Sequence, residues 1–220
     1  MSNYKIITIS LGFVNAYLVD SGNGFFLIDT GIKSVWADLE KSLSEYGCVP
    51  GKLKMVLITH GDYDHTGNCA VLQDKYKTKI AIHEADAPMV EKGIVPKRKT
   101  RTLSGKIMMF FIKRRSKKFS FDRFKPDIYL KGGEDLKQYG LEAKVIHLPG
   151  HTRGSVVFLM KDGELFGGDT LGKRGKKKAH ISKFIENMKE IKESVKSIKA
   201  LNAQIIYPGH GESFVTADIG

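Results

Sequence analysis

The chain has 220 residues, 41% of them hydrophobic, with no apolar run near the ~18 residues of a membrane span, so an integral membrane protein is not expected. Twelve Phe and eight Tyr in periodic stretches supply enough apolar surface to exclude disorder. The net charge of +12 invites a nucleic-acid reading, but it is local: residues 92–125 carry thirteen Lys or Arg and one acid, Asp122, and residues 173–178 carry five more cations on an otherwise mildly acidic body.

Met1-Ser2-Asn3-Tyr4-Lys5 has no basic, apolar and small-residue succession of the kind that directs secretion. Cys48 and Cys69 lack the spacing of a thiolate metal site and are too few for a disulfide framework. A reduced, cytoplasmic location is the expectation. In chain order, residues 4–10, 13–19 and 25–29 predict an antiparallel meander, with Ser21-Gly22-Asn23-Gly24 closing a hairpin. Ile32, Val35, Trp36, Leu39, Leu43 and Tyr46 recur at three and four and predict a helix over 32–46. Residues 53–59 form a short apolar run, the pattern of a buried strand, that ends at His60.

Residues 66–76 predict a helix, 79–82 a strand and 84–92 a short helix. Later, 143–148, 155–160 and 164–166 predict strands, with Asp162-Gly163 as a tight turn. Ile181, Phe184, Ile185, Met188, Ile191, Val195, Ile198 and Leu201 trace one stripe and predict a helix of about six turns. A last strand at 205–207 runs into Pro208-Gly209-His210. Alternating strands and helices in two halves predict one α/β domain over 1–220, its sheets covered by helices, with a basic insertion at 92–125.

Thr59-His60-Gly61-Asp62-Tyr63-Asp64-His65 puts four metal-ligand candidates, His60, Asp62, Asp64 and His65, into six residues directly after a strand. In an extended segment, residues at i, i+2 and i+4 point the same way, so His60, Asp62 and Asp64 can converge. His151 in Pro149-Gly150-His151, Asp169 in Gly167-Gly168-Asp169 and His210 in Pro208-Gly209-His210 sit in loops whose glycines permit close ligand approach.

With these motifs the chain resembles the metallo-β-lactamase superfamily of metal-dependent hydrolases, over residues 4 to about 212. The resemblance implies a four-layer αββα sandwich and two divalent metal ions, zinc by expectation, with iron or manganese as alternatives. One ion would take His60, Asp62 and His151, the other Asp64, His65 and His210, and Asp169 would bridge them; Asp29 would support the site by hydrogen bonding. Asp62 departs from the family pattern, HxDxDH standing for HxHxDH, and a carboxylate there hardens the first site. The family's flavin-linked diiron branch often has an acid at this position.

A metal pair lowers the pKa of a bound water and clamps the attacking and leaving oxygens, so hydrolysis of an ester, lactone, thioester or phosphodiester is the implied output, with Asp64 orienting the attacking hydroxide or passing on its proton. The missing leader, helical substrate domain and flavodoxin-like domain leave the compact single-domain hydrolases of small substrates, lactonase-like and small thioesterase-like members included, as the expected class; the cations at 173–178 either rim the pocket, favouring an anionic substrate, or form a solvated loop. A nucleic-acid-binding phosphodiesterase using the basic insertion and a diiron oxidoreductase are the alternatives. The block Ile107-Met108-Met109-Phe110-Phe111-Ile112, followed by Lys113-Arg114-Arg115, predicts a lid over the cleft, ahead of a homodimer contact or a membrane-surface contact. His83, His147 and Cys69 read as packed residues, His180 as exposed, and Tyr63 as either packed or facing substrate.

Overall fold

The computed structural model describes residues 4–94, 99–100, 107, 110 and 121–220. β1 (Lys5–Leu11) and β2 (Val14–Asp20) form a hairpin whose turn is made by Gly12 and Phe13, Gly12 at φ 77, and β3 (Phe25–Ile28) pairs antiparallel with β2. Pairing then becomes parallel through β4 (Leu53–Leu57), β5 (Lys79–His83) and, beyond the two-residue β6 (Lys99–Thr100), β7 (Ile128–Leu130), in the sheet order β1-β2-β3-β4-β5-β7. A second sheet holds β8 (Ala143–His147), β9 (Val156–Met160) and β10 (Glu164–Gly168) in antiparallel array. After the short β11 (Leu171–Gly172), β12 (His180–Ile181) and β13 (Phe184–Ile185), β14 (Ile205–Pro208) closes it parallel to β10, in the order β14-β10-β9-β8.

The two-residue period of the strands divides the apolar residues among three cores. Phe25 and Leu27 of β3 belong to a cluster with Leu39 and Leu43 of α1 (Trp36–Glu45) and Leu72 and Tyr76 of α3 (Cys69–Tyr76), α2 being the single turn Tyr63–Thr66 between them. Phe26 and Ile28 fall instead in the cluster between the sheets, with Val145, Phe158 and Phe166. The outer face of the second sheet, with Val157, Leu165 and Ile206, packs on Val195 and Ile198 of α5 (Met188–Ala200), α4 being the short helix Ala87–Lys92. Each fully buried Phe or Leu contributes roughly 1.5–3 kcal/mol by leaving water. The layers are therefore helix, sheet, sheet and helix, as the family resemblance implies.

Three expectations are corrected. The stripe from Ile181 to Leu201 is not one helix: Ile181 and Phe184 lie in short strands, and α5 starts at Met188, because the Asn187 Oδ1 accepts from the amides of Lys189 and Glu190 at 3.0 and 3.3 Å and caps the helix there. Residues 128–130, not expected as a strand, extend the first sheet beside β5. The basic segment is not wholly an appendage. Most of it, including the core of the 107–112 block, lies outside the described residues, but Thr100 pairs with Phe184, Asp122 bonds Lys33 at 2.7 Å and Phe124 is buried in the first core. Among the described residues no helix is long and apolar enough to cross a membrane.

Candidate metal centre

Four strand ends deliver the candidate ligands to one edge of the sandwich. β4 continues through Ile58 and Thr59 into His60; β8 leads to the loop of His151, β10 to Asp169, and β14 to His210. The segment after His60 is not uniformly extended. Asp62 is extended, at φ −71 and ψ 147, but it begins α2, and Asp64 and His65 lie on that helical turn. The change of backbone turns Asp62 toward His151 and Asp64 toward His210, while His60 and His65 stay neighbours between them, ring centroids 4.1 Å apart. Gly209 packs so closely that a Cβ there would stand 2.4 Å from Asp169 Oδ1 and 2.6 Å from His65 Cε1.

All seven candidate ligands come together, in overlapping groups whose donor atoms lie within 4.8 Å of one another: His60, Asp62 and His151; His60, His65 and Asp169; and Asp64, His65 and His210. Asp62 Oδ2 is 3.5 Å from His60 Nε2 and 3.2 Å from His151 Nε2, and Asp64 Oδ2 is 3.4 Å from His210 Nε2. Asp169 lies between the groups, 3.3 Å from His65 Nε2, 3.7 Å from His151 Nε2 and 3.2 Å from His210 Nε2. Four-coordinate zinc with ligands at ~2.0–2.2 Å holds its donors about 3.3–3.6 Å apart, so these separations suit such an ion.

Every imidazole is turned by a bond at Nδ1. His65 Nδ1–H donates to Asp29 Oδ2 at 2.8 Å; His60 Nδ1–H donates at 3.0 Å to Thr59 Oγ1, which itself donates to Asp29 Oδ2 at 2.8 Å. His151 Nδ1–H donates to the Phe184 carbonyl and His210 Nδ1–H to the Phe13 carbonyl, both at 2.6 Å. The bonded nitrogen holds the proton, so each ring keeps its Nε2 lone pair for the cluster, the usual arrangement around a metal-bound histidine. His60 Nε2, His65 Nε2 and Asp169 Oδ1 are buried with no hydrogen-bond partner. Acceptors facing one another in a buried site are costly unless a proton or a cation joins them, and a divalent cation fits the donor set.

The electrostatics agree. Burial by itself would raise the Asp64 and Asp169 carboxyls, but hydrogen bonds and charge from His210 and His65 hold Asp64 below, and Asp169 well below, the ordinary range. Burial would lower the imidazoles, but Asp29 and Asp169 push His65 well up, and Asp169 with Asp64 pushes His210 up to about 10.

The other marked residues fall elsewhere. His83 and His147 stack on each other with centroids 4.1 Å apart and planes 17° apart, away from the donor groups, and His180 is exposed. Cys69 is buried beside Thr30, and burial pushes its thiol up. Tyr63 is half-buried; burial, with Asp64 and Asp62 beside it, raises its hydroxyl, which keeps its proton. Lys173 does not reach toward the cluster: its Nζ bonds Asp218 at 2.7 Å. Sequence reasoning missed five supports. Thr59 relays between His60 and Asp29, the Phe13 and Phe184 carbonyls orient His210 and His151, Asn15 donates to the Pro208 and Gly211 carbonyls on either side of His210, and Asp86 accepts from Gly61 and Gly154. Only Thr59 and Asp86 left a sequence signal, a hydroxyl next to His60 and an acid in a post-strand turn.

A family model described as the metallo-beta-lactamase superfamily matches residues 9–210. The chain is similar to the Beta-lactamase-like protein 2 homolog of Drosophila melanogaster, 26% identical over 212 residues that make up 92% of this chain and 60% of that protein. It is also similar to the hydroxyacylglutathione hydrolase of Shewanella pealeana, 30% identical over 159 residues, 72% of this chain and 43% of that protein. The chain thus spans less than two thirds of either relative. In three dimensions it is similar to a superfamily protein of Sulfolobus tokodaii, with a TM-score of 0.73 at 21% identity over 97% of this chain and 82% of that one, a likeness of fold.

Proposed function

The chain belongs to the metallo-β-lactamase superfamily, and from that membership we propose that it is a metal-dependent hydrolase of a small thioester, ester or lactone, holding two divalent cations, taken as zinc. The observation that carries the proposal is the convergence of seven donors in which four imidazoles are each fixed at Nδ1 and aimed by Nε2. His60, Asp62 and His151 would hold one cation, and Asp64, His65 and His210 the other, with Asp169 shared. Bound there, such ions lower the pKa of water and polarise a scissile carbonyl.

The chain's own residues do the rest. Asp29 and Thr59 hold His60 and His65 in the tautomer that ligates. Asp64, kept ionised by His210 and His65, is placed to accept a proton from the attacking water. Phe13 stands 46% exposed with its ring stacked parallel on His210, centroids 5.9 Å apart, and gives the mouth one apolar wall. The thioester heads the substrate classes because a relative is named hydroxyacylglutathione hydrolase. Thr100, within the basic segment, pairs with Phe184, whose carbonyl orients His151, so this short strand lies next to one ligand's support.

The test is elemental analysis of protein purified without chelator, paired with a panel of thioester, ester, lactone and phosphodiester substrates. Two zinc ions per chain and turnover of an acyl substrate are expected. Full turnover by a metal-free preparation overturns the metal centre; iron at two per chain without hydrolysis moves the chain to oxidoreductase chemistry; salt-sensitive phosphodiester cleavage moves it to nucleic acid.

A further inference from the structure

We propose that Asp86 is the positioning residue of the first cation group, a buried carboxylate clamp that fixes the His60–Asp62 segment and the His151 loop at one mutual spacing. The role rests on the metal-centre reading above; the clamp itself does not. Asp86 lies in the turn between β5 and α4, at the N-cap of α4, and is fully buried. An aspartate at such a position commonly turns its carboxylate onto the first amides of its own helix. Asp86 makes no such bond. Its Oδ2 accepts from the amide of Gly61 at 2.8 Å, and its Oδ1 accepts from the amide of Gly154 at 2.9 Å.

Those two amides belong to the segments that matter. Gly61 sits between His60 and Asp62, and Gly154 follows His151 by three residues, so one side chain ties together the backbone carrying all three donors of the first group. Neither bond goes to the turn of Asp64 and His65 or to the loop of His210. Gly154 is a glycine for a steric reason, since a Cβ there would stand 2.6 Å from Asp86 Cγ; at Gly61 a Cβ would be tight, 3.1 Å from Met89 Cε and 3.2 Å from Asp86 Cβ. Hydrogen bonds accepted by a carboxylate are short and strong, and here water is excluded from both. Asp29 serves His65 directly and His60 through Thr59, while His151 owes its ring orientation to Phe184. The two segments are joined by backbone where the Val156 amide donates to the Thr59 carbonyl at 2.8 Å, and Asp86 is the side chain that adds a second tie, beyond His60 and beside the His151 loop.

The experiment compares Asp86→Asn and Asp86→Ala with the parent chain. The asparagine keeps the shape but turns an NH2 toward one of the amides, so one bond is lost; the alanine loses both. In metal-free protein, hydrogen exchange should speed up at one of the Gly61 and Gly154 amides in the asparagine variant and at both in the alanine. Titration with cobalt(II), followed by its visible absorption, should show one of the two sites weakened about 10–100-fold and the other at parent affinity. On an Asp62→Ala background, where the first group is already broken, Asp86→Asn should leave the remaining site unchanged. Equal weakening of both sites overturns the positioning role, as does no weakening in a variant that unfolds cooperatively. Unchanged exchange at both glycines overturns the clamp. A parent chain that takes up no cobalt(II) overturns the metal-centre reading, a result the exchange measurement keeps apart from failure of the clamp.

Discussion

Asp29 accepts the Nδ1 proton of His65 at 2.8 Å from a backbone of positive φ, 57°, a conformation that Asp and Asn tolerate better than other side chains. The same carboxylate accepts the Thr59 amide at 2.9 Å and its hydroxyl at 2.8 Å, so a single buried acid at the end of β3 orients two candidate ligands. The geometry predicts that Asp29→Asn lowers metal affinity about 10–100-fold. Asparagine accepts the positive φ, so the loss reports the missing acceptor and charge and not backbone strain. Competition with a chromophoric chelator measures it, and parent affinity in the variant contradicts the role.

Asp62 stands where the family resemblance leads one to expect a histidine. Its Oδ2 lies 3.2 Å from His151 Nε2 and 3.5 Å from His60 Nε2, inside the first donor group. Asp62→Ala should therefore cost about one tightly held ion per chain after dialysis, while Asp62→His, which restores the family's usual donor, should keep both. Metal counts by elemental analysis decide the matter. Two ions and unaltered turnover in Asp62→Ala would show that the carboxylate does not ligate.

Much of this could be read before the fold was known. The period-two alternation of β1 to β3, the apolar run of β4 and the His-bearing loops after the strands were legible because they rest on local pattern. The helix at 181–201 was misread because Ile181, Phe184 and Ile185 happen to share the stripe of α5, and only the side-chain cap of Asn187 separates them. All seven candidate ligands were visible as residue types. Their supports were not, since the Phe13 and Phe184 carbonyls carry no side-chain signature and Asp86 looks like an ordinary helix cap. Backbone acceptors are assigned by tertiary approach, and sequence spacing does not encode that.

Removing the metal should also unfold the protein more easily. Asp64 and Asp169 face the His65, His151 and His210 imidazoles at 3.2–3.7 Å, with buried orphaned acceptors among them. An ion present at 100 times its dissociation constant stabilises by about 2.7 kcal/mol. For a chain of this size, each kcal/mol moves the midpoint by roughly 2–4 °C. Calorimetry with and without EDTA should thus show a fall of about 5–11 °C. Coincident transitions would argue against a loaded centre.

Both thiols should be silent. Cys48 and Cys69 are fully buried, and burial pushes the Cys48 thiol up to about 12 and raises Cys69 as well. Reactivity follows the exposed thiolate, so neither meets the condition. A disulfide reagent at pH 8 should titrate no thiol in the native protein and two after denaturation. Fast reaction of either in the native state would show that the loop after α1, for Cys48, or α3, for Cys69, opens.

Metal uptake should depend steeply on pH. Burial opposes protonation of His65 and His210, but Asp29, Asp169 and Asp64 outweigh it, holding His65 well above 6.5 and His210 at about 10. In the metal-free centre those carboxylates favour an added proton at each Nε2, and any such proton must leave before Nε2 can ligate. Asp64 and Asp169, held low, stay ionised throughout and release nothing. Apparent affinity should rise with pH between about 6.5 and 10, with up to two protons released per chain loaded. For the metal-free protein the sign is opposite: a histidine whose folded pKa is raised stabilises fully below about 6.5, and that stability is lost as pH climbs through the folded value near 10. EDTA-treated protein should accordingly weaken on the alkaline side, where the loaded form does not. Calorimetric titration in buffers of different ionisation enthalpy counts the protons, and a count of zero at pH 7 would mean that His65 and His210 are already neutral and ready to ligate.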